Sequence, residues 1–203
     1  MTRVWNKHMS AKYLVIDAKI DTNDDEFFEH FHKALDALAH QGMRLEMAKR
    51  FEGVTSICLT FSDLQERTSV KLWADYIAST RYLEVVALNQ KTMSSIETVL
   101  GSYLRILDLD ELIDWAKRKM ETDPTLVSRV AFAAPENFDE KTYEFIMSAL
   151  DHNSPDVRKH AAYAAGVLAW SEFAPALGRR LNLEYPGEVK SYIDTALHIC
   201  SGE

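Results

Sequence analysis

Residues 154–169, SPDVRKHAAYAAGVLA, constrain the fold more than any other stretch of the chain. Ser154 suits an N-cap, and Pro155 suits the first helical turn, where its missing N–H would have no intrahelical partner anyway. Val157, Ala161, Ala164, Ala165 and Leu168 then recur at helical spacing and make one apolar face. Its alanines are small enough for a second helix to approach closely. The stretch therefore predicts a helix packed in a row of helices rather than one lying alone on a surface.

Neighbouring segments repeat it. At an offset of 31, Pro124 falls on Pro155, Leu126 on Val157, Val130 on Ala161, Phe132 on Tyr163, and Ala133 with Ala134 on Ala164 with Ala165. At an offset of 32, Val157 falls on Val189, Arg158 on Lys190, Ala161 on Ile193 and Ala165 on Leu197. Upstream, SVKLWADYIA at 69–78 echoes DVRKHAAYAA at 156–165. Periods of this length are what stacked helix pairs produce.

Helical periods also run near 68–79, 81–91, 93–107 and 109–121, then from Pro124 to the stop at Pro135, and over 138–150, 171–183 and 188–200. Nearer the N-terminus, Thr22, Asn23 or Asp24 can cap a helix over 24–41 that Gly42 ends. Its stripe of Phe27, Phe28, Phe31, Ala34, Leu35 and Leu38 needs a partner helix or a sheet. Residues 13–20 and 54–61 are rich in β-branched and aromatic residues and roughly alternate, which leaves room for two short strands.

The segment PDVRKHAAYAAGVLA resembles the second helix of a HEAT or armadillo repeat, in which a turn with Pro or an acidic residue is followed by Val-Arg, small residues and Leu. The resemblance extends over about residues 109–200. It implies a curved stack whose second helices line the concave side, a surface that in such proteins most often binds another macromolecule. The expected fold is accordingly mainly α, a HEAT-like α-solenoid of antiparallel helix pairs with a short two-stranded β element near the N-terminus. An irregular part over 1–65 is expected to continue into the repeats over 66–203 as one domain.

In that register Tyr76, Phe132, Tyr163 and Thr195 recur at one position facing the groove. With Trp73, Arg129, Asp156, Lys159, Glu188 and Ser191 around them, they form the candidate partner-binding set. Aromatic anchors and charges that exclude water are what such surfaces use, although aromatic stripes also serve as ordinary core. Arg158 and Lys190 occupy a position that ties neighbouring units together.

Composition narrows the function classes. With 31 acidic and 23 basic side chains the formal charge is -8 and the pI about 5.4, which disfavours a phosphate backbone and favours a basic partner. Cys58 and Cys200 form no CxxC pair, so neither a disulfide framework nor a cysteine zinc site is indicated, and both read as buried small hydrophobes. No apolar run reaches membrane-spanning length and no signal peptide is evident, so a reducing cytoplasm is the expected setting.

No GxSxG, HExxH, phosphate loop or Cys beside His occurs, and on a helix His198 and Cys200 diverge. Glu26, Glu29, His30, His32, Asp36 and His40 share a helix, but His30 and His32 point about 200° apart and read as solvated surface residues. Asp108, Asp110, Glu111 and Asp114 sit where capping and dipole matching want them.

The expectation is a non-enzymatic protein-binding module of inhibitor or immunity type that masks a basic partner such as a toxin. It needs no cofactor, metal, nucleic acid or membrane. The alternatives are a HEAT-like enzyme, glycosylase-like or bilin lyase-like, and a plain assembly scaffold.

Overall fold

The computed structural model describes residues 10–17, 24–65 and 67–202, and its contacts divide the chain into two compact units, Met1–Leu107 and Asp108–Glu203.

In the first unit β1 (Ser10–Ile16) and α1 (Asp24–His40) precede four strands in succession: β2 (Glu46–Glu52), β3 (Ser56–Ser62), β4 (Ser69–Asp75) and β5 (Thr80–Ala87). The unit continues into α2 (Gln90–Tyr103). The strands form one antiparallel sheet in the order β1-β5-β4-β3-β2, so a meander of β2 to β5 gains β1 along the far side of β5. Leu59, Leu72, Leu83 and Leu14 lie opposite one another across four strands.

Leu14, Leu72 and Leu83, with Val70 and Val85, belong to the core that also takes in Phe27, Phe31, Leu35 and Leu38 of α1 and Met93, Ile96 and Leu100 of α2, and Leu59 packs partly buried against it. The aromatic stripe of α1 thus finds a sheet: Phe31 meets Phe61 edge to face at 5.2 Å and stacks on Phe27 at 6.1 Å. Opposite strand residues show that the reverse face is also covered, since Val15, Tyr82, Trp73 and Cys58 are buried along one row. Trp73 stacks on Tyr82 at 6.0 Å and its indole N–H donates to Glu84 at 3.1 Å, while Lys71 pairs with the same carboxylate at 2.7 Å.

This sheet overturns the expected mainly α solenoid. Strands β4 and β5 occupy most of 68–79 and part of 81–91, where repeat helices were expected. The echo at 69–78 is therefore a strand and a turn. Val70, Leu72 and Ala74 alternate with Ser69 and Lys71 along β4, but Trp73 and, on β5, Tyr82 are buried on the opposite face as well, and these added aromatic residues blur the period of two. The strand expected at 54–61 is present as β3, and that at 13–20 as β1 up to Ile16; residues 18–20 and the caps Thr22 and Asn23 lie outside the described residues. Strand β2, EMAKRFE, is exposed along its whole length and carries no hydrophobic pattern to read.

The second unit comprises α3 (Leu109–Lys119), α4 (Thr125–Ala133), α5 (Glu140–Leu150), α6 (Pro155–Leu168), a 3-10 turn (Ser171–Phe173), α7 (Ala174–Leu183) and α8 (Glu188–Ser201). Within it α3 packs on α4, α5 on α6 and α7 on α8, and α6 lies between α4 and α8. Asp108 accepts a hydrogen bond from the first-turn N–H of Asp110, the capping role expected of the acidic cluster at 108–114, and Asp139 likewise caps α5 by accepting from the N–H of Thr142. Ser154 stands at the N-cap position of α6 without a side-chain capping bond; its N–H donates instead to His152 Nδ1 at 3.1 Å.

Val157, Ala161, Ala164, Ala165 and Leu168 are all buried, and α8 passes beside Gly166, where an added methyl group would make an ordinary van der Waals contact of 3.7 Å with Ala196 Cα. Arg158 locks α6 to the end of α7. Its Nε and Nη2 donate to the Glu184 carboxylate at 2.9 and 2.7 Å, and its Nη1 donates to the carbonyls of His152 and Asn153.

Candidate functional site

Six of the ten residues expected at a partner-binding surface come together on α6 and α8. Along α6, Asp156, Lys159 and Tyr163 recur at three- and four-residue steps on the side away from the apolar face; along α8, Glu188, Ser191 and Thr195 do the same. The two helices are joined rung by rung. Lys159 Nζ lies 3.5 Å from Glu188 and 4.0 Å from Asp156, and one turn farther Tyr163 meets Tyr192 edge to face at 6.3 Å. The carboxylates are open to solvent, with Asp156 and Glu188 side chains 73% and 67% exposed, whereas Lys159 between them is only 21% exposed.

Tyr192 was not singled out by the repeat register. The signal that would have found it is a contact offset of 29 between facing helices, which pairs 159 with 188 and 163 with 192. The offset of 32 finds equivalent residues, not touching ones.

The other four expected residues lie elsewhere. Arg129 and Phe132 are 5% and 4% exposed, because α4 is buried without interruption from Leu126 to Phe132. A helix apolar on nearly every side has no face left for a groove. Arg129 donates to Thr125 Oγ1 at 3.1 Å, within its own helix. Trp73 belongs to β4 and is buried, and Tyr76, 48% exposed, sits in the turn after that strand, so neither is on a repeat helix.

Beneath the surface, a hydrogen bond of 2.8 Å joins Ser128 Oγ of α4 to His160 Nδ1 of α6. Ser128 is wholly buried and so is no candidate nucleophile. Burial, with the positive charge of Lys159 a lesser cause, lowers the His160 pKa to about 4. A histidine whose folded pKa lies below its unfolded value favours the native state in its neutral form. It contributes stability above about 6.5 that is lost as pH falls toward 4. We expect His160→Gln to flatten the decline in denaturant midpoint between those pH values relative to the parent chain, a difference of about 3 kcal/mol over the window. An unchanged slope in urea titrations would show that another group titrates there.

Cys200 donates to the Ala165 carbonyl at 3.5 Å, and burial raises its thiol pKa to about 11. His198 Nδ1 instead hydrogen-bonds the Asp194 carbonyl at 2.8 Å, so the two side chains diverge as the helical spacing requires. Glu29 of α1 pairs with Lys33 at 2.6 Å. Among the described residues no group of three or more His, Cys, Asp or Glu side chains is arranged to hold a metal ion, and no helix is long and apolar enough to cross a membrane.

Charge is divided unequally along the chain. Residues 108–203 hold 17 acidic and 10 basic side chains, a net of -7, against 14 and 13, a net of -1, in residues 1–107. The acidic character is therefore a property of the helical unit that carries the α6–α8 surface. No family model matches the chain, and neither a curated protein nor a solved structure matches it.

Proposed function

We propose that this chain is a non-enzymatic protein-binding protein that docks a basic partner against the solvent face of α6 and α8. The observation that carries the reading is the placement of nearly all the excess negative charge in the helical unit, with Asp156, Glu188 and Asp194 open to solvent around a tyrosine pair. Exposed charge of one sign steers an oppositely charged partner, and half-buried aromatics beside it supply the contact area that fixes the complex. The resemblance of residues 109–200 to HEAT or armadillo repeats supports the same reading, since second helices in those arrays line a binding side. An inhibitor of immunity type fits best, because a compact acidic surface can cover the basic site of a toxin. Two buried, unpaired cysteines support a cytoplasmic setting.

The test is purification of the complex from the source cell, identification of the partner, and titration with salt. Binding is expected to weaken as salt rises past about 0.15 M, where screening shortens charge interactions to about 8 Å. The triple variant Asp156→Asn, Glu188→Gln, Asp194→Asn is expected to lose about tenfold in affinity, mostly through slower association. An acidic partner, or binding indifferent to salt and to the triple variant, overturns the reading. A partner whose own activity is unchanged in the complex makes the chain a scaffold rather than an inhibitor.

A further inference from the structure

Resting on that reading, we infer that the quartet Lys159, Tyr163, Glu188 and Tyr192 is an arginine-recognition site, entered by a guanidinium of the basic partner. Two helices build the quartet from matched positions four residues apart, so its geometry is set by the α6–α8 packing rather than by a loop. Tyr163 and Tyr192 are half-buried and meet at 67°, the edge of one ring against the face of the other. A cation is attracted to the face of a tyrosine ring. Carboxylates of Glu188 and Asp156 stand one turn away toward the helix N-termini, both open to solvent.

A planar cation that stacks on a ring while forking onto a carboxylate is a guanidinium; a lysine ammonium, compact and strongly hydrated, does the second but gains less from the first. Lys159 already shows that the position accepts a cation. It spans the gap to Glu188 from within the chain and holds the site in a self-neutralised form until a partner's arginine competes for the carboxylate. The occupant is thus an arginine-bearing segment of a basic protein, drawn to this face by the charge of -7 in its unit.

Fluorescently labelled nona-arginine and nona-lysine peptides, titrated against the full chain and read by anisotropy, test this directly. The arginine peptide is expected to bind about fivefold more tightly than the lysine peptide of equal charge. Tyr163→Leu and Tyr192→Leu, each checked for native circular dichroism, are expected to erase that preference while leaving lysine-peptide binding in place. Glu188→Gln is expected to weaken both peptides, and Lys159→Met to strengthen both by removing the internal competitor. Equal affinity for the two peptides, or a preference that survives both tyrosine changes, overturns the arginine site and leaves the acidic docking surface standing. Failure of both peptides to bind overturns both.

Discussion

Ala161→Asp is expected to remove the cooperative thermal transition of the helical unit, seen as loss of about two thirds of the helical circular dichroism signal of the full chain, whereas Tyr163→Ala leaves the transition nearly unmoved. Ala161 is fully buried on α6, between helices whose close approach depends on small side chains. An ionised carboxylate there has no partner and no room; the burden exceeds about 4 kcal/mol, a large share of what holds any domain folded. Tyr163 lies two residues on and on the other side of the helix, partly exposed and edge to face with Tyr192. Its truncation removes contact area at a surface and is expected to cost binding instead. A Tyr163→Ala chain that melts as early as Ala161→Asp would place Tyr163 in the core and dismantle the proposed docking face.

Arg158→Met is expected to destabilise the same unit by about 3 kcal/mol or more, and the double change Arg158→Met, Glu184→Met to recover part of that loss. The side chains of Arg158 and Glu184 are 9% and 7% exposed, and the guanidinium is fully engaged by a bidentate carboxylate and two carbonyls. Taking away the arginine leaves a buried carboxylate held only by Arg180 at 3.2 Å; taking away both removes the uncompensated charge along with the bond. The hydrogen bond from Arg158 holds the Glu184 pKa below the ordinary 4.5. A depressed carboxylate pKa means that this contribution is complete above about 4.5 and is lost as pH falls through the lower folded value. Chemical denaturation of parent, single and double variants at neutral pH, repeated near pH 3, reads both effects. A double variant no more stable than the single would mean that packing, not the buried charge, dominates.

Much of the helical unit is written in local sequence. Proline and aspartate at helix starts, alanines at the contact side of α6 and a repeat of 31 to 32 residues suffice to place α4, α6 and α8, and Arg158 reads as a tie between elements before its partner is known. What was read there as a surface divides on packing. Asp156, Lys159 and Tyr163 stay open because the opposite side of α6 is apolar, whereas Arg129 and Phe132, at the corresponding places on α4, are buried because α4 is apolar on nearly every side.

The sheet was the hardest part to read. Buried Trp73 and Tyr82, on the face opposite Leu72 and Leu83, blur the period of two in Ser69–Asp75 and Thr80–Ala87, so these strands imitate helices, and Glu46–Glu52, exposed on both faces, shows no period at all. By itself the sequence determined which segments are helical beyond residue 90 and that the chain is acidic, because caps, apolar spacing and charge are local properties. Only the tertiary structure decided that β1 closes the far side of a five-stranded sheet, that Arg158 meets Glu184, and that Lys159 and Tyr163 face Glu188 and Tyr192. Each of these joins residues distant along the chain, and such pairings are set by how whole faces bury one another.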